Sequence, residues 1–371
     1  MDTSALKSLT TQVLWAAFFL AVVFGAIAQR THFCTMGAVS DIVNMGDWTR
    51  MRMWGMAIGV AMIGFYTLAA AGLIDPAKTL YASSRFIWLS ALVGGLLFGF
   101  GMVLASGCGS KTLVRIGGGN LKSVVVFVVM GVAAFATLKG ITAVMRVATV
   151  DRVTVDFAVN AALPNWLSAT VGLSVAGAGL VLAMLFGLAL IIWALLGRDF
   201  VRIDNLLAGC GLGAVIVAMW WVSGHLGHIA EHPETLQETF LATNSGRAEA
   251  LSFVSPVAYT IDWLMFFSDK SKLLTIGIVS VFGVVVGSAI YALITRNFRW
   301  EGFRDAEDTA NHLIGAVLMG VGGVAAMGCT VGQGLSGIST LSATSIVAVA
   351  AIVAGCVAAL KYQIWRLEKS I

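Results

Sequence analysis

Nine apolar runs, each about 20 residues or longer, follow one another along the chain, and nothing constrains its fold more. At a rise of 1.5 Å per residue, about 20 residues cross the hydrocarbon core of a bilayer. The runs fall at 10–28, 50–73, 87–117, 120–140, 173–197, 203–223, 272–295, 310–340 and 343–366, and the segments between them are loops. The sequence therefore predicts an all-α polytopic membrane protein, with residues 1–371 forming one membrane domain. Composition agrees, since 11% of the residues are charged against about 25% in soluble domains. The net charge of +4 is no nucleic-acid footprint, because the basic residues sit in short loops between spans. The first run ends in "AIAQ", which loosely imitates a cleavage site, but its counterpart later in the chain points to a retained span.

Two of the runs, 87–117 and 310–340, are interrupted by Gly-Cys, in "LASGCGSKTLVR" and "AAMGCTVGQGLSG". Two shorter apolar segments, 31–45 and 252–268, are too short or too polar to cross and read as re-entrant half-helices. A shift of 221 residues lays Gly94, Gly99, Gly101, Gly107 and Cys108 over Gly315, Gly320, Gly322, Gly328 and Cys329, Asp41 over Asp262, and Cys34 over Ser255. The chain is thus expected to hold a first pseudo-repeat at 10–140, a linking helix at 173–197 and a second pseudo-repeat at 203–366. The odd linking helix would invert the second against the first, a transporter architecture whose substrate site lies where the halves meet. Lys and Arg concentrate in the loops on one side, including Arg30, Arg50, Arg52, Arg198, Arg296 and Arg299, while the longest loop, about 224–250, carries Glu231, Glu234, Glu238 and Glu249. That bias predicts an outside N-terminus and a cytoplasmic C-terminus.

Five cysteines form no CxxC pair, so neither a redox dithiol nor a stapled ectodomain is signalled. Cys210 and Cys356 lie inside regular spans and read as small buried hydrophobes. Cys34, Cys108 and Cys329 lie at the breaks, where irregular backbone is tolerated only beside protein or a wet cavity. Gly107, Gly109 and Gly328 flank these thiols and free the backbone to offer N–H groups at half-helix N-termini, which suit an anion. Lys111 and Arg115 could attract an anion or simply anchor a loop. Gln333 could donate an amide N–H to a ligand or cap a helix. Asp41 and Asp262 read as helix caps ahead of proton carriers, and the spacing of His225, His228 and His232 is explained by an acidic outer loop without a metal. No cofactor motif is present.

The segments "FGFGMVLASGCGSKTLVRIGGGNLKS", "MGVGGVAAMGCTVGQGLSG" and "QRTHFCTMGAVSD" resemble the signature segments of the YeeE/YedE family of sulfur-compound transporters. That resemblance implies a bacterial inner-membrane protein for thiosulfate uptake. It also implies an hourglass shape whose waist is lined by Cys34, Cys108 and Cys329, and in some members a small cytosolic sulfur-carrier partner. A selenium compound as cargo and a membrane sulfur-transfer enzyme are the alternatives that the residues leave open.

Overall fold

A computed structural model describes residues 3–157, 159–198, 200–233 and 235–370; Glu234 lies outside them. The chain is helical almost throughout. Its elements are α1 (Thr3–Thr31), α2 (Thr35–Met45), α3 (Thr49–Ala70), α4 (Trp88–Leu104), α5 (Gly109–Gly117), α6 (Leu121–Lys139), α7 (Ile141–Ala148), α8 (Leu163–Val171) and α9 (Val175–Leu195). After them come α10 (Ile203–Leu206), α11 (Leu212–Trp221), α12 (Ser255–Met265), α13 (Ile276–Ile294), α14 (Ala306–Ala325) and α15 (Ala343–Ser370). Two-residue strands pair antiparallel in the loops, Arg85–Phe86 with Val155–Asp156 and His228–Ile229 with Thr239–Phe240. α10 and α11 join through π-wound turns into one rod, Ile203–Leu226.

Eight helical stretches among the described residues are long and apolar enough to cross a membrane. The ninth expected crossing, 310–340, is α14 with the helical stretch 330–339 after it, and Glu307 and Asp308 in the first turn of α14 make it more polar than the rest. The expected half-helices at 31–45 and 252–268 are α2 and α12, each 11 residues, too short to span at 1.5 Å per residue.

The loops divide between two faces. On one, Lys78 pairs with Glu238, Arg85 with Asp156, and Arg247 donates to the carbonyl of Ala82. On the other, Arg30 pairs with Asp204, Lys122 with Glu301 and Asp308, and Arg366 with Glu307. α1 begins at the first face, where Thr11 and Leu14 line one groove with Leu274, and reaches the second, so the described ends of the chain lie on opposite faces.

At the centre, α4 and α14 cross with their backbones touching. A Cβ on Gly94 would sit 2.7 Å from the Gly322 carbonyl oxygen, and one on Gly322 would sit 2.6 Å from that of Gly94. The same holds for Gly101 and Gly315, at 2.7 and 2.6 Å. Only glycine admits such an approach, the usual means by which membrane helices gain packing without a hydrophobic driving force. The four positions are those that the 221-residue shift superposes, and they run antiparallel.

Candidate functional site

Each broken helix ends in the same hydrogen-bonded cap. After α4, the N–H of Ser106 donates to the Val103 carbonyl and that of Gly107 to Met102, at 3.1 and 2.8 Å. After α14, Met327 donates to Val324 and Gly328 to Gly323, at 3.0 and 2.7 Å. This is the Schellman arrangement, which needs one residue in the left-handed region. The Gly-Cys sequence suggests that glycine fills that place. Instead it falls one residue earlier, on Ser106 and Met327, both with φ of 57°. Gly107 and Gly109 have no such role: a Cβ on Gly107 would meet only the flexible Lys111 side chain at 3.1 Å, and one on Gly109 would make ordinary contact with Phe253.

Beyond each cap the chain starts a new helix, with a cysteine at its head. Cys108 caps α5, Cys34 caps α2, and Cys329 precedes the stretch 330–339, which is π-wound over Gly332–Gly337. The Cys34 sulfur accepts the Gly37 N–H at 3.5 Å, and the Cys329 sulfur accepts the Gly332 N–H at 3.4 Å, the same relation three residues on. Cys108 instead turns its thiol to Ser110 Oγ at 3.3 Å and to the Cys34 thiol. Cys329 lies near enough to Cys108 for their charges to interact. The three thiols expected at the breaks therefore come together, and all three are buried. Of the other two, Cys356 lies buried as expected, where its backbone meets Gly99, whereas Cys210, expected to be buried in a regular span, is exposed in the π-wound turn Leu207–Gly211 and touches the Met56 sulfur at 3.7 Å.

The stretch 330–339 is fixed from several sides. Tyr81 donates to the Gly332 carbonyl at 2.5 Å, Ser336 to the Leu251 carbonyl at 2.7 Å, and Tyr66 to the Thr340 carbonyl at 2.8 Å. These bonds serve carbonyls near the π-wound turns. Trp54 stacks on Phe33, with centroids 4.4 Å apart, and also touches Gly334, which ties the start of α2 to the same stretch.

Among the other residues named from sequence, Gln333 and Arg115 each have one nitrogen engaged by the fold, while the buried Gln333 Oε1 has no partner. Gln333 Nε2 donates to the Ala326 carbonyl at 2.6 Å, and Arg115 Nη1 to the Ser106 carbonyl at 2.9 Å, so each stitches a half-helix to the cap before it. Lys111 differs: it lies within electrostatic reach of Cys34, Cys108, Arg50 and Arg115, and no acidic partner among the described residues neutralises it. Asp41 pairs with Arg50 at 3.2 Å and Asp262 with Lys272 at 2.6 Å, so both carboxylates hold structure together. His228 bonds Glu238 in the hairpin on the first face.

Two hydroxyls at this centre are not singled out by the sequence. Thr35, next to Cys34, is buried with its Oγ1 unbonded. Thr330, next to Cys329, is also buried, and its Oγ1 faces only the Cys108 thiol. The one signal that sequence offers for them is their place directly after a breaking cysteine.

On the first face a cavity of about 250 Å³ runs in from the loops. Asn244, Ser245, Glu249, Ser252, Ser255 and Tyr259 line it together with Val324 and Met327, the last of which lies two residues before Cys329. Burial pushes the Glu249 carboxyl up to about 7, although the Ser245 hydroxyl and the Asn244 N–H favour its charged form.

The chain is similar to known proteins over most of its length. The thiosulfate transporter TsuA of Escherichia coli is 28% identical over 331 residues, 87% of either chain. TsuA of Spirochaeta thermophila is 26% identical over 344 residues, 90% of this chain and 94% of the relative. The probable transporter YedE of Escherichia coli is 30% identical over 110 residues, 30% of this chain and 26% of the relative. The family profile described as sulphur transport matches residues 30–358, nearly every helix described above. That match over most of a helical, membrane-spanning chain makes it a member of the sulphur transport family, a family of membrane transporters and not of enzymes.

Proposed function

We propose that this protein takes up thiosulfate across the bacterial inner membrane, along a path whose waist is formed by the Cys34, Cys108 and Cys329 thiols. The observation that carries the reading is the meeting of these three buried thiols at the starts of three half-helices. A neutral thiol is a weak donor on a soft, polarisable atom, suited to the terminal sulfur of thiosulfate, and each half-helix start adds partial positive charge and free N–H groups. The ion passes from thiol to thiol by S–H hydrogen bonds, without covalent chemistry. Both TsuA relatives, named for thiosulfate transport, extend over most of the chain.

The two halves, 10–140 and 203–366, are read as inverted pseudo-repeats joined by α9, together giving an hourglass. The matched caps at Ser106 and Met327 and the reciprocal glycine pairs of α4 and α14 support that relation. The N-terminus is placed outside and the basic second face in the cytoplasm, by the Lys and Arg bias. There Lys111 draws the dianion through, and a small sulfur-carrier protein could receive it at the same basic face. Entry of a dianion against an inside-negative potential is opposed by about 2.3 kcal/mol per charge per 100 mV, so rapid consumption inside, or a coupled ion, must drive uptake.

Uptake of labelled thiosulfate by cells lacking other uptake systems tests this, with wild type compared with Cys108→Ala and Cys329→Ala at equal membrane expression. Uptake lost in both variants is expected. Wild-type uptake that survives both substitutions would remove the thiols from the path. Absent wild-type uptake, or stronger competition by an unlabelled selenium compound than by thiosulfate, would remove the substrate.

A further inference from the structure

We propose that Thr35 and Thr330 determine substrate specificity, their hydroxyls binding the oxyanion end of the cargo while the neighbouring thiols meet its sulfur end. This rests on the thiosulfate reading above and names the groups that recognise the other half of the ion.

Most buried hydroxyls elsewhere in the bundle find a partner, commonly on their own helix; Ser345, in the first turn of α15, is a further buried hydroxyl without one. Thr31 gives its hydroxyl to the Ile27 carbonyl, Thr112 to Cys108, Thr260 to Pro256 and Ser280 to Ile276, each four residues back, at 2.6–3.1 Å. A helix interior always offers such a carbonyl. Thr35 and Thr330 are each the first helical residue after a break, so the carbonyl four residues back belongs to the preceding turn and points elsewhere. Neither hydroxyl finds an oxygen or nitrogen partner, although Thr35 is 8% and Thr330 3% exposed. Burying an unsatisfied hydroxyl costs about 1–3 kcal/mol, and such groups in a native structure call for a ligand, an ion or a water.

Their surroundings say which ligand. Thr330 faces Cys108, Cys34 bonds Cys108, and Thr35 is the residue directly after Cys34, so both threonines stand at the half-helix starts that bring the thiols together. Ser110, already within 3.3 Å of the Cys108 sulfur, adds a third hydroxyl at the third half-helix start. The ligand that fits has a polarisable sulfur at one end and charged oxygens at the other. Hydroxyl donors bond an oxyanion far better than thiols do, since charge-assisted O–H···O⁻ bonds are among the strongest in proteins, whereas the thiol is a weak donor. Sulfide lacks the oxygens and sulfate lacks the soft sulfur, so the arrangement selects an ion bearing both.

The test is binding of labelled thiosulfate to the purified protein in detergent, with thermal unfolding measured alongside. Thr35→Val and Thr330→Val keep the side-chain shape and remove the hydroxyl. Each is expected to weaken binding roughly tenfold or more while leaving the unfolding temperature unchanged or higher, because an unsatisfied buried group is lost. Thr35→Ser and Thr330→Ser should restore binding. A merely structural role predicts the opposite pairing, a lower unfolding temperature with unchanged binding, and that result would overturn the assignment. Wild-type binding matched by both valine variants would also overturn it while leaving the thiosulfate reading intact; absent wild-type binding would remove both.

Discussion

The two helix breaks share a backbone and differ in the side chains beyond the thiol. Both end in the same cap, both place φ at 57° one residue before glycine, and both tie that cap down with a long side chain from the next helix. After Cys108, however, come Ser110, the unneutralised Lys111 and Arg115, whereas after Cys329 come Thr330, Val331 and Gly332, with no charge until well beyond the break. Lys111 stands opposite Gly332 under the 221-residue shift. Backbone geometry, then, is common property of the two halves, and charge is assigned to one of them. The proposed anion path between these two breaks would accordingly be polarised, attractive on the side of the first and neutral on the side of the second.

The largest expected effect tests the shared part. Gly101→Ala and Gly315→Ala each push a Cβ into the other helix's backbone, so both should destabilise the protein by about 1–3 kcal/mol, the range for overpacked cores, seen as lower unfolding temperature and lower membrane yield. Markedly different losses at the two sites would break the equivalence of the halves. Next comes the unshared part. Lys111→Gln should lower thiosulfate uptake roughly fivefold to tenfold at low ionic strength, with the deficit shrinking as salt rises, whereas Gly332→Ala should leave the salt dependence of uptake untouched. Smaller again is relief of the left-handed positions. A non-glycine residue there costs about 1–2 kcal/mol, so Ser106→Gly and Met327→Gly should each raise stability by up to about 1 kcal/mol, net of glycine's extra entropy loss, in equilibrium unfolding.

The smallest effect concerns the cavity on the first face. Burial raises the folded Glu249 carboxyl to about 7 from an ordinary value of 4.5, so its ionisation disfavours the folded state. Stability from this group is complete below about 4.5 and is lost as the pH rises through about 7. The unfolding temperature in detergent should therefore fall slightly over that window, and Glu249→Gln should flatten the slope. A variant with the wild-type slope would assign the pH response elsewhere.

Much of this was legible in the sequence because bilayer thickness fixes helix length. Each apolar run falls on a helix, and the short segments at 31–45 and 252–268 are α2 and α12. The meeting of Cys34, Cys108 and Cys329 was legible too, since breaks at membrane depth must be sheltered together. Relations through space could not be read. Glycine next to cysteine suggests that glycine bears the unusual torsion, but the cap counts residues from the helix end and lands on Ser106 and Met327. Gln333 and Arg115 look available on paper, yet carbonyls left over at each cap claim one nitrogen of each. Thr35 and Thr330 look like ordinary membrane threonines until the missing carbonyl four residues back is noticed.

The crossing of α4 and α14 bears on tempo. With backbones in contact at Gly94–Gly322 and again at Gly101–Gly315, α4 and α14 are pinned at two points along one seam, and a rigid swing of one against the other would have to prise both apart. Motion is left to side-chain rotamers and to the short half-helices, which relax in picoseconds to microseconds, well ahead of the microseconds to milliseconds of domain rocking. A protein built this way should work as a narrow, standing sieve for its cargo, always assembled and never swung open.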